Sequence, residues 1–150
     1  MLPLSKPRST AFHILVVEDN AGDARLITEA LRDAAVNAEV HIVENGTDAL
    51  DFLQRSGSDG KQRWPSMVLL DLNLPQLDGF DVLRAVKSDA ALRSLPVIVF
   101  SSSGDARDVA KAYALRANAY VAKPMILDEY LRCVRVIVGF WSDVASRTLS

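Results

Sequence analysis

Short apolar runs and helix-length amphipathic stretches alternate from one end of the chain to the other. "HILVVE" (13–18), "EVHIV" (39–43), "SMVLLD" (66–71), "PVIVFS" (96–101) and "AYVA" (119–122) each predict a β-strand. Most show little polar alternation, which fits strands covered on both faces, as in a parallel sheet. Between them the apolar period changes to 3.6. Residues 22–35 place Leu26, Ile27, Ala30 and Leu31 on one helix face, and residues 46–56 do the same with Ala49, Leu50 and Leu53. Residues 78–89 follow with Phe80, Leu83 and Val86, residues 105–115 more weakly with Val109, Ala112 and Tyr113, and a longer helix is predicted from about Leu127 to Ala145.

Five strands alternating with five helices predict an α/β fold, a doubly wound five-stranded parallel sheet flanked by five helices. The loop "RSGSDGKQRWPS" (55–66) reads as a surface insertion before the third strand. The expected organisation is a flexible N-terminus at 1–11, where Pro3 and Pro7 fall, one domain over 12–145 and a tail at 146–150.

Composition narrows the class. A chain of 150 residues with 49% hydrophobic and 24% charged residues can fill one core and is not expected to be disordered. A net charge of −2 gives no electrostatic case for nucleic acid or an anionic membrane. Cys133 is the single cysteine, so no disulfide framework is possible, and a reducing, cytoplasmic setting is the simplest expectation. The N-terminus lacks the apolar core of a secretion signal, and every apolar run falls short of the ~20 residues of a membrane span.

In open parallel sheets ligands bind beyond the carboxyl ends of the strands. Here those ends carry Glu18-Asp19, Asp71, Ser101 and Lys123-Pro124. Each alone is unremarkable, because a strand-end acid is commonly a helix cap and a lone lysine is commonly solvated charge. Together, on one edge, they suit phosphoryl transfer. Clustered carboxylates repel one another, and a hard divalent cation such as Mg²⁺ relieves the repulsion. One carboxylate can then attack a phosphoryl group to form an aspartyl phosphate. An ammonium and a hydroxyl stabilise the transferring group. Ser101 is the first polar residue after "PVIVF", which favours it over Ser102 and Ser103 as the hydroxyl.

The set "VVEDN", "LLDLNLPQLDG", "PVIVFSS" and "AYVAKP" resembles the receiver domain of two-component response regulators. The likeness covers about residues 12–142, with 30 residues from Asp71 to Ser101 and 22 more to Lys123. It implies a flavodoxin-like sheet in the order 2-1-3-4-5, with Asp71 accepting a phosphoryl group from the phosphohistidine of a sensor histidine kinase. It implies that Asp19 is the main acidic ligand of Mg²⁺ (or Mn²⁺) and that Glu18 acts through a metal-bound water. Asn73 would offer its backbone carbonyl, Ser101 and Lys123 would hold the phosphoryl oxygens, and Tyr120 would be the aromatic switch that responds to Ser101. The Lys123–Pro124 bond would be cis. The chain departs from many relatives in having Glu18 where Asp is usual, and its polar "SSS" could alter the rate of dephosphorylation.

"NAGDARLITEAL", the insertion before Trp64-Pro65 and "FW" near the C-terminus are similar to the small regulators of bacterial and cyanobacterial phytochrome kinases, although Ala21 stands where Pro is common. Only 27 residues follow Lys123, which leaves no room for a DNA-binding module, so output is expected through the receiver surface and not through nucleic acid. In the last helix Leu131, Val134, Val138 and Trp141 form one stripe, and Cys133, Ile137, Phe140 and Val144 a second. The wide apolar arc predicts a homodimer through this helix. An aspartyl-nucleophile phosphatase of the haloacid dehalogenase type is disfavoured, since Asn73 occupies the place of its second Asp. A nucleotide binder is disfavoured because "EDNAGD" would repel phosphate. The remaining alternative is a receiver-like interaction module that works without phosphorylation.

Overall fold

A computed structural model describes residues 12–32, 37–56 and 64–149, with side chains described as far as Val144. The flexible N-terminus expected at 1–11, the end of the first predicted helix at 33–36 and most of the predicted insertion, 57–63, lie outside the described residues. The elements are β1 (Phe12–Val17), α1 (Ala21–Arg32), β2 (Ala38–Val43), α2 (Gly46–Arg55), β3 (Met67–Leu70), α3 (Gly79–Ser88), β4 (Val97–Ser101), α4 (Ala106–Ala114), β5 (Ala119–Ala122) and α5 (Leu127–Leu149). The last helix thus runs beyond the Ala145 expected from its pattern.

All strand pairings are parallel, and the sheet order is β2-β1-β3-β4-β5. Because strand side chains alternate in direction, a run apolar at every position feeds two cores. Leu15 and Val17 of β1, Val68 and Leu70 of β3 and Val97 and Val99 of β4 pack with Phe52, Leu53, Val82, Leu83 and Val86 under α2 and α3. Ile14, Val16, Met67, Leu69, Ile98 and Phe100 point the other way and pack with Ile27, Leu31, Tyr130, Val134 and Val138 of α1 and α5. The edge strand β2 alternates between half-buried and exposed positions, as one neighbour and one solvated side require.

Two local devices place the strand ends. Asn45 caps α2 by accepting from Asp48 N–H at 2.7 Å. Asp78 caps α3 in a reciprocal box, accepting from Asp81 N–H at 3.0 Å while Asp81 accepts from Asp78 N–H at 3.3 Å. Gly79 opens α3 directly against the turn after β3. A Cβ there would strike the Asp71 carbonyl oxygen and lie 2.6 Å from Leu72 Cα.

The sheet-facing stripe of α5 differs from the expected division. Tyr130, Val134, Ile137 and Val138 are buried, with Leu131, Cys133 and Trp141 packed partly against them. Both predicted stripes therefore contribute to one broad core face, and Val136 and Phe140 are left outward at 63% and 59% exposure.

Candidate functional site

β1 and β3 are adjacent and parallel, with Val17 opposite Leu70, so the residues following them emerge side by side. Those residues are Glu18 and Asp71. Both are buried, and Asp71 N–H donates to Val17 O at 3.0 Å, continuing the ladder by one residue. Asp19 follows Glu18 and is exposed. One carboxylate oxygen from each of Glu18, Asp19 and Asp71 falls within 4.8 Å of the other two. Hard anionic oxygens at that spacing repel strongly when alone and fit a divalent cation of the Mg²⁺ or Mn²⁺ kind. Asn73 is exposed, and its N–H donates to Asp71 Oδ1 at 3.4 Å.

Lys123, from the end of β5, reaches across the site. Its Nζ lies 2.7 Å from Glu18 Oε1, 3.2 Å from Asp23 Oδ2 and 3.4 Å from Asp71 Oδ2, with its side chain 8% exposed. Burial would lower the lysine, but the Glu18 hydrogen bond and the charges of Glu18, Asp71 and Asp23 outweigh it and raise the ammonium's affinity for its proton. Burial also pushes the Glu18 carboxyl up, to about 7, against the Lys123 hydrogen bond and with the Asp71 charge adding to the rise. The bond between Lys123 and Pro124 is trans, like the other peptide bonds among the described residues, and this corrects the cis expectation. Trans is the lower-energy form of an X–Pro amide by about 0.5–1 kcal/mol, and the ammonium already reaches three carboxylates with it.

Ser101 closes β4 and is fully buried, its Oγ accepting from Ser103 N–H at 3.3 Å. Ser103 is committed elsewhere, its Oγ donating to Asp108 Oδ2 in the first turn of α4 at 2.7 Å. Tyr120 of β5 is half-buried. Its hydroxyl donates to Ser103 O at 2.7 Å, so it is tied to the β4–α4 loop. Its backbone N–H donates to the Tyr113 hydroxyl of α4 at 3.0 Å.

Two residues of this neighbourhood escaped the sequence. Asp23 lies in the first turn of α1 and Tyr130 in α5. In the fold the Tyr130 hydroxyl donates to Asp23 Oδ1 at 2.6 Å. The phenol is held well above its ordinary range by burial, then by the hydrogen bond to Asp23 and the nearby acids. No spacing signal joins residues 107 apart in the chain.

Comparison with known proteins agrees with this geometry. The family model described as "Response regulator receiver domain" matches residues 14–135. The chain is 36% identical over 133 residues to response regulator Rcp1 of Synechocystis sp., covering 89% of this chain and 90% of that protein. The phosphorylated cyanobacterial phytochrome response regulator RcpA superposes with a TM-score of 0.84 at 38% identity, over 90% of this chain and 96% of that one. The Mn²⁺-bound form of Rcp1 superposes with a TM-score of 0.79 at 37% identity, over 86% and 93% of the two chains. Among the described residues no helix is long and apolar enough to cross a membrane.

Proposed function

The chain belongs to the response regulator receiver domain family, and on that premise we propose that Asp71 accepts a phosphoryl group from the phosphohistidine of a sensor histidine kinase. One observation carries this reading. Asp71 is buried beside two further carboxylates, with the Lys123 ammonium 3.4 Å from its Oδ2. Asp71 directly follows β3, beside the residues that emerge from the end of β1.

In the transfer an Asp71 oxygen forms a bond to phosphorus as the phosphorus–nitrogen bond breaks. The imidazole leaves with that electron pair and regains a proton. Lys123 offers three N–H donors, which can turn from carboxylate to phosphoryl oxygens without leaving the site. Ser101, buried at the end of the neighbouring strand, supplies the hydroxyl on the other side. Glu18, Asp19, Asp71 and the backbone carbonyl of Asn73 would hold Mg²⁺ or Mn²⁺. Bound there, the cation offsets the charge of the acids and of the phosphoryl oxygens. Tyr120 reports the state of the site, because its hydroxyl is anchored on the loop that Ser101 begins.

The partner kinase is of the phytochrome type, a reading supported by the likeness to phytochrome response regulators. The outward Val136 and Phe140 support pairing of two copies through α5. The phosphoacceptor reading is tested by incubating the protein with acetyl phosphate and Mg²⁺ and measuring its intact mass. A gain of one phosphoryl group, acid-stable and base-labile, is expected in the wild type and not in Asp71→Asn. Absence of the adduct, or its survival in the variant, would overturn the assignment.

A further inference from the structure

Three carboxylates surround the Lys123 ammonium, and one of them stands outside the cluster suited to a cation. Glu18 and Asp71 belong to that cluster, whereas Asp23, 3.2 Å from Nζ, does not. Asp23 sits in the first turn of α1, its N–H donating to Asn20 Oδ1 at 2.9 Å, so its backbone is fixed. Its second carboxylate oxygen is fixed as well, by the 2.6 Å hydrogen bond from Tyr130. Tyr130 is 4% exposed, with its ring edge-on to Phe100 at a centroid distance of 5.3 Å. A phenol locked in a core holds its O–H in a narrow range of positions, and a short charge-assisted bond from it orients the acceptor.

The other two partners of Lys123 are the ones that the proposed reaction changes. Asp71 loses its carboxylate charge when it becomes an acyl phosphate. Glu18 is among the residues that would hold the cation. Asp23 lies outside both changes, tied to Tyr130 and, through its backbone, to Asn20. A lysine stem is long and flexible, so one unchanging contact decides where the ammonium waits. Nζ can stay ion-paired with Asp23 while its N–H groups turn toward the phosphoryl oxygens.

We infer that Asp23, oriented by Tyr130, is a positioning residue that holds the Lys123 ammonium for phosphoryl transfer to Asp71. The inference rests on the phosphoacceptor reading above. With acetyl phosphate as donor, an Asp71 oxygen bonds to phosphorus while the phosphorus–oxygen bond to the acetyl group breaks and acetate leaves with the electron pair. Asp23 takes no part in those bonds and acts through Lys123 alone.

The test compares wild type, Asp23→Asn, Tyr130→Phe and the double variant. Adduct formation is followed by intact mass at a series of acetyl phosphate concentrations, and the Lys123 ammonium by nitrogen NMR. Tyr130→Phe keeps the ring against Phe100 and removes one oxygen, so its fold is retained, and amide spectra check this for every variant. Loss of one charge-assisted contact is expected to lower the maximal rate about tenfold in Asp23→Asn and about threefold in Tyr130→Phe, with half-saturation changed less than about twofold. The double variant should be no slower than Asp23→Asn, since both act on one ammonium. The Lys123 nitrogen resonance should move in each. Rates in both single variants matching wild type, additive losses in the double variant, or an unmoved resonance would overturn the positioning role while leaving Asp71 as acceptor. A wild type that gains no phosphoryl group would overturn the acceptor reading itself.

Discussion

The Lys123 ammonium lies 2.7 Å from Glu18 Oε1 and 3.4 Å from Asp71 Oδ2, so the cation of this site rests nearer to a neighbour of the proposed phosphoacceptor than to the acceptor. Asp71 bears a 3.4 Å contact on each oxygen, from Asn73 N–H and from Lys123, and Glu18 bears the closest ion pair. That division has a consequence for pH. Glu18 is raised to about 7 from its ordinary 4.5, chiefly by burial. A folded acid titrating above its unfolded value binds more protons than the unfolded chain between the two. Its contribution is therefore fully present below about pH 4.5 and is lost as pH rises through about 7. In metal-free buffer, urea unfolding of the wild type should lose up to about 3 kcal/mol over that window, and Glu18→Gln should flatten the loss. A wild-type curve that rises with pH in that window, with Glu18→Gln parallel to it, would contradict the shift.

Gly79 lets α3 begin against the backbone of Asp71 and Leu72. Since a Cβ there meets the Asp71 carbonyl oxygen and Leu72 Cα, neither of which is a flexible side-chain tip, Gly79→Ala must displace the turn after β3. Denaturant titration should show a loss of about 1–3 kcal/mol, and the Asp71 amide resonance should shift. Wild-type stability in that variant would refute the close approach.

Lys87 of α3 is a buried lysine. Its Nζ donates to Arg93 O at 3.1 Å, Leu95 O at 2.8 Å and Asn118 Oδ1 at 2.9 Å, tying α3 to the approaches to β4 and β5, and burial lowers its proton affinity. Lys87→Met keeps the stem and leaves three acceptors short of a donor. A loss of about 2–3 kcal/mol is expected in urea unfolding, and a change below about 0.5 kcal/mol would show the ammonium to be dispensable.

Tyr120 tethers the β4–α4 loop through one hydrogen bond, from its hydroxyl to Ser103 O. Tyr120→Phe should release about 1 kcal/mol of that tether. Hydrogen exchange should quicken at Ser103 and Asp105 while the amides of β3 stay protected. Unchanged exchange in the loop would mean that other contacts hold it.

Phe140 projects from α5 at 59% exposure, one turn from Val136. If two copies pair through this helix, Phe140→Glu places a charge in the contact, and light scattering should show the mass falling to that of one chain. A wild type that already scatters as a single chain would remove the dimer.

The alternation of apolar runs and amphipathic stretches was enough to place five strands and five helices, because a strand apolar at every position has to be covered on both faces. It also brought Glu18, Asp19, Asp71, Ser101 and Lys123 to one edge, since ends of parallel strands share a side. Pairing among those side chains could not be read in that way. Lys123 meets Glu18 from 105 positions away, and Tyr130 meets Asp23 from 107. The pairing of the strands and the packing of α1 against α5 decide which acid an ammonium touches. Burial of Lys87 and Tyr130 follows for the same reason, as a polar tip can enter a core once three-dimensional packing supplies its partners. Residue types and their order along the chain set the edge at which chemistry can occur. Only the tertiary contacts settle which charges face each other across it, because electrostatic preference is resolved over distances shorter than any pattern in the chain can specify.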